Sequence, residues 1–382
     1  MLKIRIWIIS LFFAALALFY SCSKGDRITA PLISFANAGD GFKVKLGDSL
    51  RLNPSVVNNL NTTYTWLVNG AVVSSAKIYI FKPSRIGIYT IQLKVSNEIG
   101  SDQKSVQVST FSNNSPYITK VFDYQYAPGQ EASLIPADWK GEDFIGEPGT
   151  GSKSYTSLGG WGGYVIAGFD HTISNGMGKD FAVIVPPGFF VEPGVVYVMY
   201  DANNDGIPND GAWAEIKGSE YNNTKTIHNY QVTYYKPLNN GNVTWKDNQG
   251  NNGELIAQYG DASWWWSGYG NQAEVVFTGE RLPDAYQNIS TQPGVQNWKE
   301  LPGLFSSGYA KCYFDLDWNN SLNANLFDIS DAVDQTGNPA NLPGITFIKV
   351  QSGVFQIAGW LNEISPEISG AVDLSLIEYT AN

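Results

Sequence analysis

The feature that most constrains this sequence is a two-residue alternation of apolar and polar side chains, in short runs that end at turn residues. Ile91, Leu93 and Val95, for example, are each followed by a polar residue. A period of two is that of a β-strand with one buried and one solvated face. No amphipathic helical pattern in the sequence is longer than about two turns. We therefore predict an all-β chain.

The first long stretch of this pattern, residues 31–110, predicts a small β-sandwich. Tyr64, Trp66 and Val68 repeat the alternation, and Asn69-Gly70 directly after them is a hairpin-turn signal. Several short strands in a segment of this length are typical of immunoglobulin-like sandwiches.

Three motifs in this stretch carry a family resemblance. The segments LGDSL (46–50), YTW (64–66) and GIYTIQLKVSN (87–97) resemble a PKD-type, immunoglobulin-like domain. The resemblance implies that the first domain is a spacer, which holds a functional module away from a membrane.

Residues 1–22 predict a signal peptide with a lipid-attachment site. Basic residues precede an apolar run over 6–18, which is shorter than the roughly 20 residues that a membrane-spanning helix needs. The run ends in FYSC (19–22), which resembles the lipobox of bacterial lipoproteins and implies that Cys22 is acylated. Residues 23–30 are predicted to be a tether. Their SKGD start resembles the surface-export signal of Bacteroidota-type lipoproteins, so we expect an outer-membrane lipoprotein, with the cell surface favoured over the periplasmic face.

The composition excludes some functions and favours others. A net charge of −11 argues against nucleic acid as a partner, because a polyanion needs a basic face. Only two histidines are present, which leaves few candidates for a general base. The 12 tryptophans and 21 tyrosines are more polar-tipped rings than a core readily hides, so some are expected on a binding surface. Cys312 is the only cysteine besides Cys22, which predicts a chain without an internal disulfide.

The rest of the chain is predicted to be one large antiparallel domain. Residues 111–120 form a polar linker that contains SNNSP. Residues 121–382 then hold many short apolar runs, such as 195–200 and 345–350, separated by Gly, Pro, Asn and Asp. This pattern predicts a jelly-roll-like antiparallel β-sandwich.

The sharpest chemical motif is DANNDGIPND, at residues 201–210. Asp201, Asn203 and Asp205 supply oxygens at the first, third and fifth positions, and a glycine at the sixth permits a sharp turn. The next carbonyl, that of Ile207, is expected to point back at the ion, and Asp210 to close the site. These oxygens predict a structural Ca²⁺ site. The alternative is an Asn/Asp-rich turn that satisfies its own backbone.

The motif departs from a complete EF-hand at its end. Ala212 stands at the twelfth position, where an EF-hand has a bidentate glutamate. We expect Glu215 or Glu220 to supply that oxygen from beyond the loop.

The best candidate for ligand binding is the glycine-bounded segment 260–270, with Trp264, Trp265, Trp266 and Tyr269. Three consecutive tryptophans cannot all face one core from a strand, because successive side chains alternate between faces. At least one ring is therefore expected to be exposed and able to stack on a flat ligand. The alternative is a strand with both faces covered.

A second, broader resemblance covers most of residues 120–380. Segments that include SLGGWGGYVIAGFDH (157–171), LPGITFIKV (342–350) and GWLNE (359–363) resemble the large "cell surface protein" β domain of gut bacterial lipoproteins. Members of that group resemble proteins of cobalamin acquisition. The resemblance implies capture of a cobalamin-type corrinoid and its delivery to an outer-membrane transporter.

The same features leave other functions open. Glycan binding is the alternative, since sugar faces also stack on exposed rings. Glycan hydrolysis is a distant third, with Glu142, Asp143 and Glu147 as candidate acids. No nucleophile elbow, phosphate loop or zinc motif is present, so we expect a binding protein rather than an enzyme.

Some single residues have two interpretations. His171 is a candidate base or cobalt ligand, although local hydrogen bonding is the more common role of such a histidine, and His228 is a weaker candidate still. Trp139, Trp161 and Trp360 are individually predicted to lie in the core.

Overall fold

The computed structural model describes residues 28–36, 41–149, 155–188, 190–238, 241–313 and 315–380. Cys22, the predicted signal peptide and most of the predicted tether lie outside these residues. The chain divides into two compact units, one with the described residues up to Pro83 and Gly87–Thr110, the other with Ser84–Ile86 and the described residues from Phe111 on. In the described residues no helix has the length and apolarity to cross a membrane.

The first unit is built from short strands with the alternation seen in the sequence. Its strands are β1 (Leu32–Ser34), β2 (Phe42–Lys45), β3 (Leu50–Leu52), β4 (Ser55–Val57), β5 (Thr63–Val68), β6 (Ala71–Ser74), β7 (Tyr79–Phe81), β8 (Gly87–Ser96) and β9 (Ser101–Phe111). They form a sheet in the order β2-β9-β8-β5-β6, with β1 paired to β4 and β3 paired to β7.

Trp66 lies at the centre of the first unit's core. Its ring is fully buried, its indole N–H donates to the Ala76 carbonyl at 2.8 Å, and it packs on Tyr79. The turn between β5 and β6 has positive φ at both Asn69 (47°) and Gly70 (88°), as a type I′ hairpin requires. The predicted immunoglobulin-like sandwich and its hairpin are therefore confirmed.

The second unit contains the remaining strands. These are β10 (Lys120–Gln125), β11 (Thr156–Ser157), β12 (Tyr164–Ser174), β13 (Phe181–Ile184), β14 (Gly194–Met199), β15 (Ala214–Ile216), β16 (Ile227–Tyr235), β17 (Val243–Asp247), β18 (Asn252–Leu255), β19 (Glu274–Arg281), β20 (Tyr286–Asn288), β21 (Trp298–Glu300), β22 (Tyr309–Ala310), β23 (Trp318–Asn319), β24 (Ala324–Phe327), β25 (Ala332–Val333), β26 (Gly344–Ser352), β27 (Glu367–Ile368) and β28 (Gly370–Asp373).

Two sheets of the second unit share one core. The seven-stranded sheet runs β10-β12-β26-β14-β15-β25, with β22 also paired to β14, and a four-stranded sheet runs β23-β24-β13-β28. Successive strands such as β12, β13 and β14 alternate between these sheets, which is the connectivity of a jelly roll. Their pairings are antiparallel, which confirms the predicted fold class.

A second four-stranded sheet, β18-β17-β16-β19, packs on the same core through Tyr230 and Tyr234, both fully buried. Trp161 lies between this sheet and the seven-stranded one. Its ring contacts Tyr230 at 4.8 Å, and its carbonyl accepts the Tyr234 hydroxyl at 3.0 Å. The prediction that Trp161 is a core residue is confirmed.

Helical structure in the described residues consists of short 3₁₀ segments. They span Glu131–Leu134, Glu142–Phe144, Ala262–Tyr269, Ile329–Asp331 and Leu374–Leu376.

The segment Ala262–Tyr269 differs from the expected loop or strand. A 3₁₀ helix repeats every three residues, so Trp266 and Tyr269 lie on one side, and their rings are 4.9 Å apart. The Trp266 indole donates to the Gln272 carbonyl at 2.8 Å, and the Tyr269 hydroxyl donates to the Tyr126 carbonyl. Trp265 is also in the core, with 2% of its surface exposed, whereas Trp264 is 58% exposed. Only Trp264 therefore has the exposure that was expected of this segment.

His171 connects the two sheets of the jelly roll. It lies on β12, and its Nδ1 and Nε2 are each 2.8 Å from a carboxylate oxygen, that of Asp170 and that of Asp373 at the end of β28. Burial lowers the pKa of His171, but the hydrogen bonds and charges of Asp373 and Asp170 outweigh it, so the pKa lies above the ordinary value. The imidazole is thus held locally, and its protonated form is favoured.

We predict that His171 stabilises the fold more at acidic than at alkaline pH. Because its folded pKa is raised, the contribution is complete below the unfolded pKa, about 6.5, and is lost as the pH rises through the folded value. Denaturant unfolding of the wild type and of His171→Gln should show a larger difference in free energy at about pH 5 than at about pH 9. An Asp373→Asn background should reduce that pH dependence, and an equal difference at both pH values would contradict the assignment.

Candidate functional site

Exposed aromatic side chains gather around one cavity of the second unit, of about 440 Å³, which we call the aromatic cavity. Trp360 and Phe190 lie on its wall with 66% and 55% of their surfaces exposed. Trp298, Tyr155 and Tyr286 complete the aromatic part of the lining. Large rings exposed together at a concavity are typical of ligand-binding sites rather than of bare surface.

Short strands and the loops between them position these rings. Trp298 lies on β21, which pairs with β20, and the Tyr286 hydroxyl of β20 accepts the Val191 N–H at 2.9 Å. Gln356 fastens β20 to the loop that carries Trp360, because its amide oxygen accepts the N–H groups of Ala285 and Tyr286 and its amide donates to the Tyr286 carbonyl. Parts of the chain that are far apart in sequence thus meet at this cavity.

The aromatic cavity also contains a buried lysine among carboxyl groups. Lys311 Nζ is 3.0 Å from Glu367 Oε2 and 3.9 Å from Glu192 Oε2. Burial lowers the pKa of Lys311, but the charges of Glu367 and Glu192 raise it by more. The pKa therefore lies above the ordinary value, and the ammonium group is retained. Burial, followed by the charge of Glu367, raises the pKa of both Glu192 and Glu131.

Glu363 is the carboxyl group most firmly tied to the scaffold of the aromatic cavity. Its two oxygens accept the backbone N–H groups of Gln130 and Glu131, the latter at 2.7 Å. Burial raises the pKa of Glu363 to about 8, although these two N–H groups act in the other direction. The cavity therefore offers carboxyl groups and one ammonium donor beside stacking surfaces.

A second cavity, of about 780 Å³, has a more polar lining, and we call it the polar cavity. Glu215 of β15, His228 of β16 and Glu280 of β19 place one ligand atom each within 4.8 Å of one another there. His228 Nδ1 forms an ion pair with Glu280. Trp213 and Lys349 also line this cavity.

A β-bulge places His228 against Glu280. The pairing of β16 with β19 shifts between Ile227 and Tyr230, and Asn229 has a φ of 54° in the bulge. Burial raises the pKa of Glu215 to about 9, and the charge of Glu280 adds to the rise. Burial also lowers the pKa of Lys349 to about 8, against the opposing charge of Asp123.

The predicted cation loop, residues 201–210, connects β14 and β15. The Asp201 carboxylate accepts the N–H groups of Asp205 and Gly206, at 3.2 and 2.9 Å, and Asn203 Oδ1 also accepts the Asp205 N–H. Carboxylate oxygens of Asp201, Asp205 and Asp210 lie within 4.8 Å of one another, close enough to hold a metal ion. Asp210 Oδ2 is buried and has no hydrogen-bond partner among the described residues, which fits an oxygen that serves as a cation ligand.

Two further expectations about the loop concern the Ile207 carbonyl and the glutamate that closes the site. The Ile207 carbonyl accepts the Asn209 N–H at 2.8 Å. Glu215 lies in the polar cavity, and Glu220 accepts the Phe305 N–H at 3.0 Å and an amide hydrogen of Asn223. Neither glutamate belongs to the group around Asp210, so the expectation that one of them closes the loop is wrong.

The other predicted residues are spread over the unit. Glu142, Asp143 and Glu147 line neither cavity. Trp139 is partly buried against the core. Trp360 was predicted to lie in the core and is instead exposed on the aromatic cavity.

Most residues around the two cavities carry no sequence signal of their grouping. Lys311 and Trp298 carry no local motif, and nothing in their neighbourhoods marks them as close to residues 359–367. Trp360 did carry a sequence signal, because it directly follows a glycine. In the structure Gly359 has a φ of 71°, as a turn there requires. A tryptophan at such a turn leaves the strand pattern and need not point into a core.

Comparisons with known proteins identify the first unit and not the second. A family model described as a PKD-like domain matches residues 30–97. No curated protein matches the chain. Among solved structures, the chain is similar to the PKD domain of human KIAA0319, with 17% identity over 24% of this chain and 91% of that chain and a TM-score of 0.18.

Two further solved structures match along most of the chain. One is the Bacteroides ovatus mixed-linkage glucan utilization locus SGBP-B in complex with a mixed-linkage heptasaccharide, at 10% identity over 84% of this chain and 99% of that chain, with a TM-score of 0.20. The other is a SusE-like protein, at 8% identity over 87% of this chain and 95% of that chain, with a TM-score of 0.16. Similarity at this level does not identify the function of this chain.

Proposed function

We propose that this chain is a glycan-binding protein that binds neutral oligosaccharides in the aromatic cavity. The observation that carries the proposal is the exposure of Trp360, 66% of whose surface is free at a cavity that Trp298 and several carboxyl groups also line. Indole rings stack on the apolar C–H face of a pyranose, and carboxylates accept hydrogen bonds from its hydroxyl groups.

Charge supports a neutral sugar. Glu131, Glu192, Glu363 and Glu367 line the cavity, where Lys311 is the only cation among the described lining residues, and the chain carries a net charge of −11. An anionic glycan would meet like charges here, which is unfavourable in a partly desolvated site. Hydroxyl groups, in contrast, can pair with either the ionised or the protonated carboxyls.

A cobalamin-type corrinoid has less support than a glycan. The broad face of a corrin ring needs a broad exposed surface, but Trp265, Trp266 and Tyr269 are covered by the core. Trp264 alone of that segment is exposed. The aromatic cavity, at about 440 Å³, lies in the lower half of the range of small-molecule sites, which suits one or two sugar residues better than a corrinoid.

Calorimetry of the full chain with a panel of neutral oligosaccharides tests the proposal. Trp360→Ala and Trp298→Ala should each weaken binding roughly tenfold, or about 1.4 kcal/mol, because each removes a stacking surface. Trp264→Ala is the matched control, since its ring is similarly exposed but does not line the aromatic cavity.

Three outcomes would contradict this function. Corrinoid binding without saccharide binding would return the case to the corrinoid. Equal losses with Trp264→Ala and Trp360→Ala would place the ligand elsewhere. Release of shortened saccharides on incubation would make the protein a hydrolase, whereas we propose binding without turnover.

We further propose that the cation loop binds Ca²⁺ as a structural ion. The donors are oxygens of carboxylates and amides, which a hard cation prefers. The loop connects β14 and β15, which are neighbouring strands of the seven-stranded sheet. An ion there would offset two of the three negative charges of the carboxylates and fix the connection from β14 to β15, in a chain whose described residues contain only one cysteine.

Removal of Ca²⁺ should lower the melting temperature of the full chain. Binding to the folded state alone stabilises by about 2.7 kcal/mol at a hundredfold excess over Kd. Scanning calorimetry with and without a chelator should show the shift in the wild type and a much smaller one in Asp210→Ala. Asp334→Ala is the control, because Asp334 also accepts loop N–H groups but belongs to no such carboxylate group. A wild-type melt that is insensitive to chelation would count against the ion.

We also propose that the chain is anchored through lipid on Cys22 and displays the second unit at the cell surface. The support is the lipobox-like FYSC sequence after an apolar run. Metabolic labelling with a tagged fatty acid should mark the wild type and not Cys22→Ser. An equally labelled variant would reject this anchor.

A further inference from the structure

We propose that Glu215, His228 and Glu280 form a binding site for a divalent transition-metal ion, with Zn²⁺ as the reference ion. The site is distinct from both the cation loop and the aromatic cavity. It does not depend on the proposed glycan function.

The three groups converge from two different sheets. Glu215 projects from β15 of the seven-stranded sheet, whereas His228 and Glu280 face each other on β16 and β19. Their ligand atoms lie within 4.8 Å of one another. Donors on one tetrahedral ion with bonds of about 2.1 Å are roughly 3.4 Å apart, so side-chain rotations of modest size bring all three onto one ion.

The burial of Glu215 also supports a bound cation. The residue is 8% exposed. Among the described residues, burial and the charge of Glu280 are what act on its carboxyl group, and no hydrogen bond or ion pair of that group offsets them. It nevertheless faces the polar cavity. A buried carboxyl group without a partner is costly, and a cation at this point would satisfy it.

The two lysines that line the polar cavity do not fill this role. The Nζ of Lys217 lies over the ring of Tyr221, 5.1 Å from its centre, and no ion pair joins it to Glu215 or Glu280 among the described residues. Lys349 also lines the cavity, but its Nζ lies over the rings of Tyr164 and Tyr197, at 4.9 and 5.0 Å from their centres. Among the described residues it forms no ion pair with Glu215. The carboxyl oxygens of Glu215 and Glu280 are thus left to bind an external cation, with His228 beside them.

The donor set selects the kind of ion. An imidazole nitrogen is a poor ligand for Ca²⁺ or Mg²⁺, which prefer oxygen, but it suits Zn²⁺ and other first-row transition metals. Two carboxylates add the charge that a divalent ion needs. Because three groups converge among the described residues, at least one coordination position remains open towards the cavity of about 780 Å³, where water or an oxygen-bearing ligand fits.

The two histidines of the chain allow a direct test. The full chain is produced without a histidine tag, labelled with ¹⁵N-histidine, stripped with chelator and titrated with Zn²⁺ while Ca²⁺ keeps the cation loop filled. The imidazole ¹⁵N signals of His228, assigned by their loss in His228→Gln, should shift at one equivalent. Those of His171, which is held between two aspartates, should stay in place.

The carboxylates are tested by competition with a fluorescent zinc chelator. Glu215→Gln and Glu280→Gln should each weaken Zn²⁺ affinity at least tenfold, while Glu300→Gln, a carboxyl group on β21 outside the cavity, should not. Circular dichroism identifies any variant that fails to fold, and Glu215→Asp then replaces it, with an expected intermediate affinity. Unshifted His228 signals, shifts at His171 instead, or wild-type affinity in both glutamine variants would overturn the site.

Discussion

The hydrogen bonds of the Trp161 indole are the interaction on which the backbone around both cavities of the second unit depends. Its indole N–H is shared between the carbonyls of Gly353 and Glu280, at 3.1 and 3.3 Å, and its ring packs against Tyr230. Glu280 belongs to the polar cavity, and Gly353 begins the segment that leads to Trp360. One fully buried ring therefore holds the backbone of Glu280, in the polar cavity, and the start of the segment that leads to Trp360. The backbone two residues after Trp161 is also tightly packed, because a Cβ on Gly163 would lie 1.8 Å from the Leu158 carbonyl oxygen.

Elements with local causes were predictable from the sequence. The strand β8 follows from its alternation, because Ile91, Leu93 and Val95 are all fully buried. The Asn69-Gly70 turn follows from the positive φ angles that it needs. The oxygens of the cation loop converge because the motif itself folds them together through its own N–H groups.

The cavities were not predictable, since their residues meet only through the tertiary fold. Lys311 contacts Glu192 and Glu367 across more than fifty residues of chain in either direction. His228 and Glu280 become neighbours through strand pairing and a bulge, neither of which a sequence pattern specifies. The tryptophan run was predicted to expose at least one ring, and Trp264 is exposed, but the run did not show which rings are buried, for a related reason. Its period was taken as two, but the segment is a 3₁₀ helix with a period of three, which directs Trp265 and Trp266 into the core.

The hairpin between β14 and β15 carries residues of both proposed ion-binding groups on one short stretch of backbone. Asp201 and Glu215 are fourteen positions apart (215 − 201), and β15 begins only four residues after Asp210 (214 − 210). Ordering of the loop by one cation therefore restricts the strand that presents Glu215 to the other. Thermodynamic reciprocity then requires that each ion alter the affinity for its neighbour by the same factor. Under the two proposals above, the hairpin would link the occupancy of the cation loop to the metal affinity of the polar cavity.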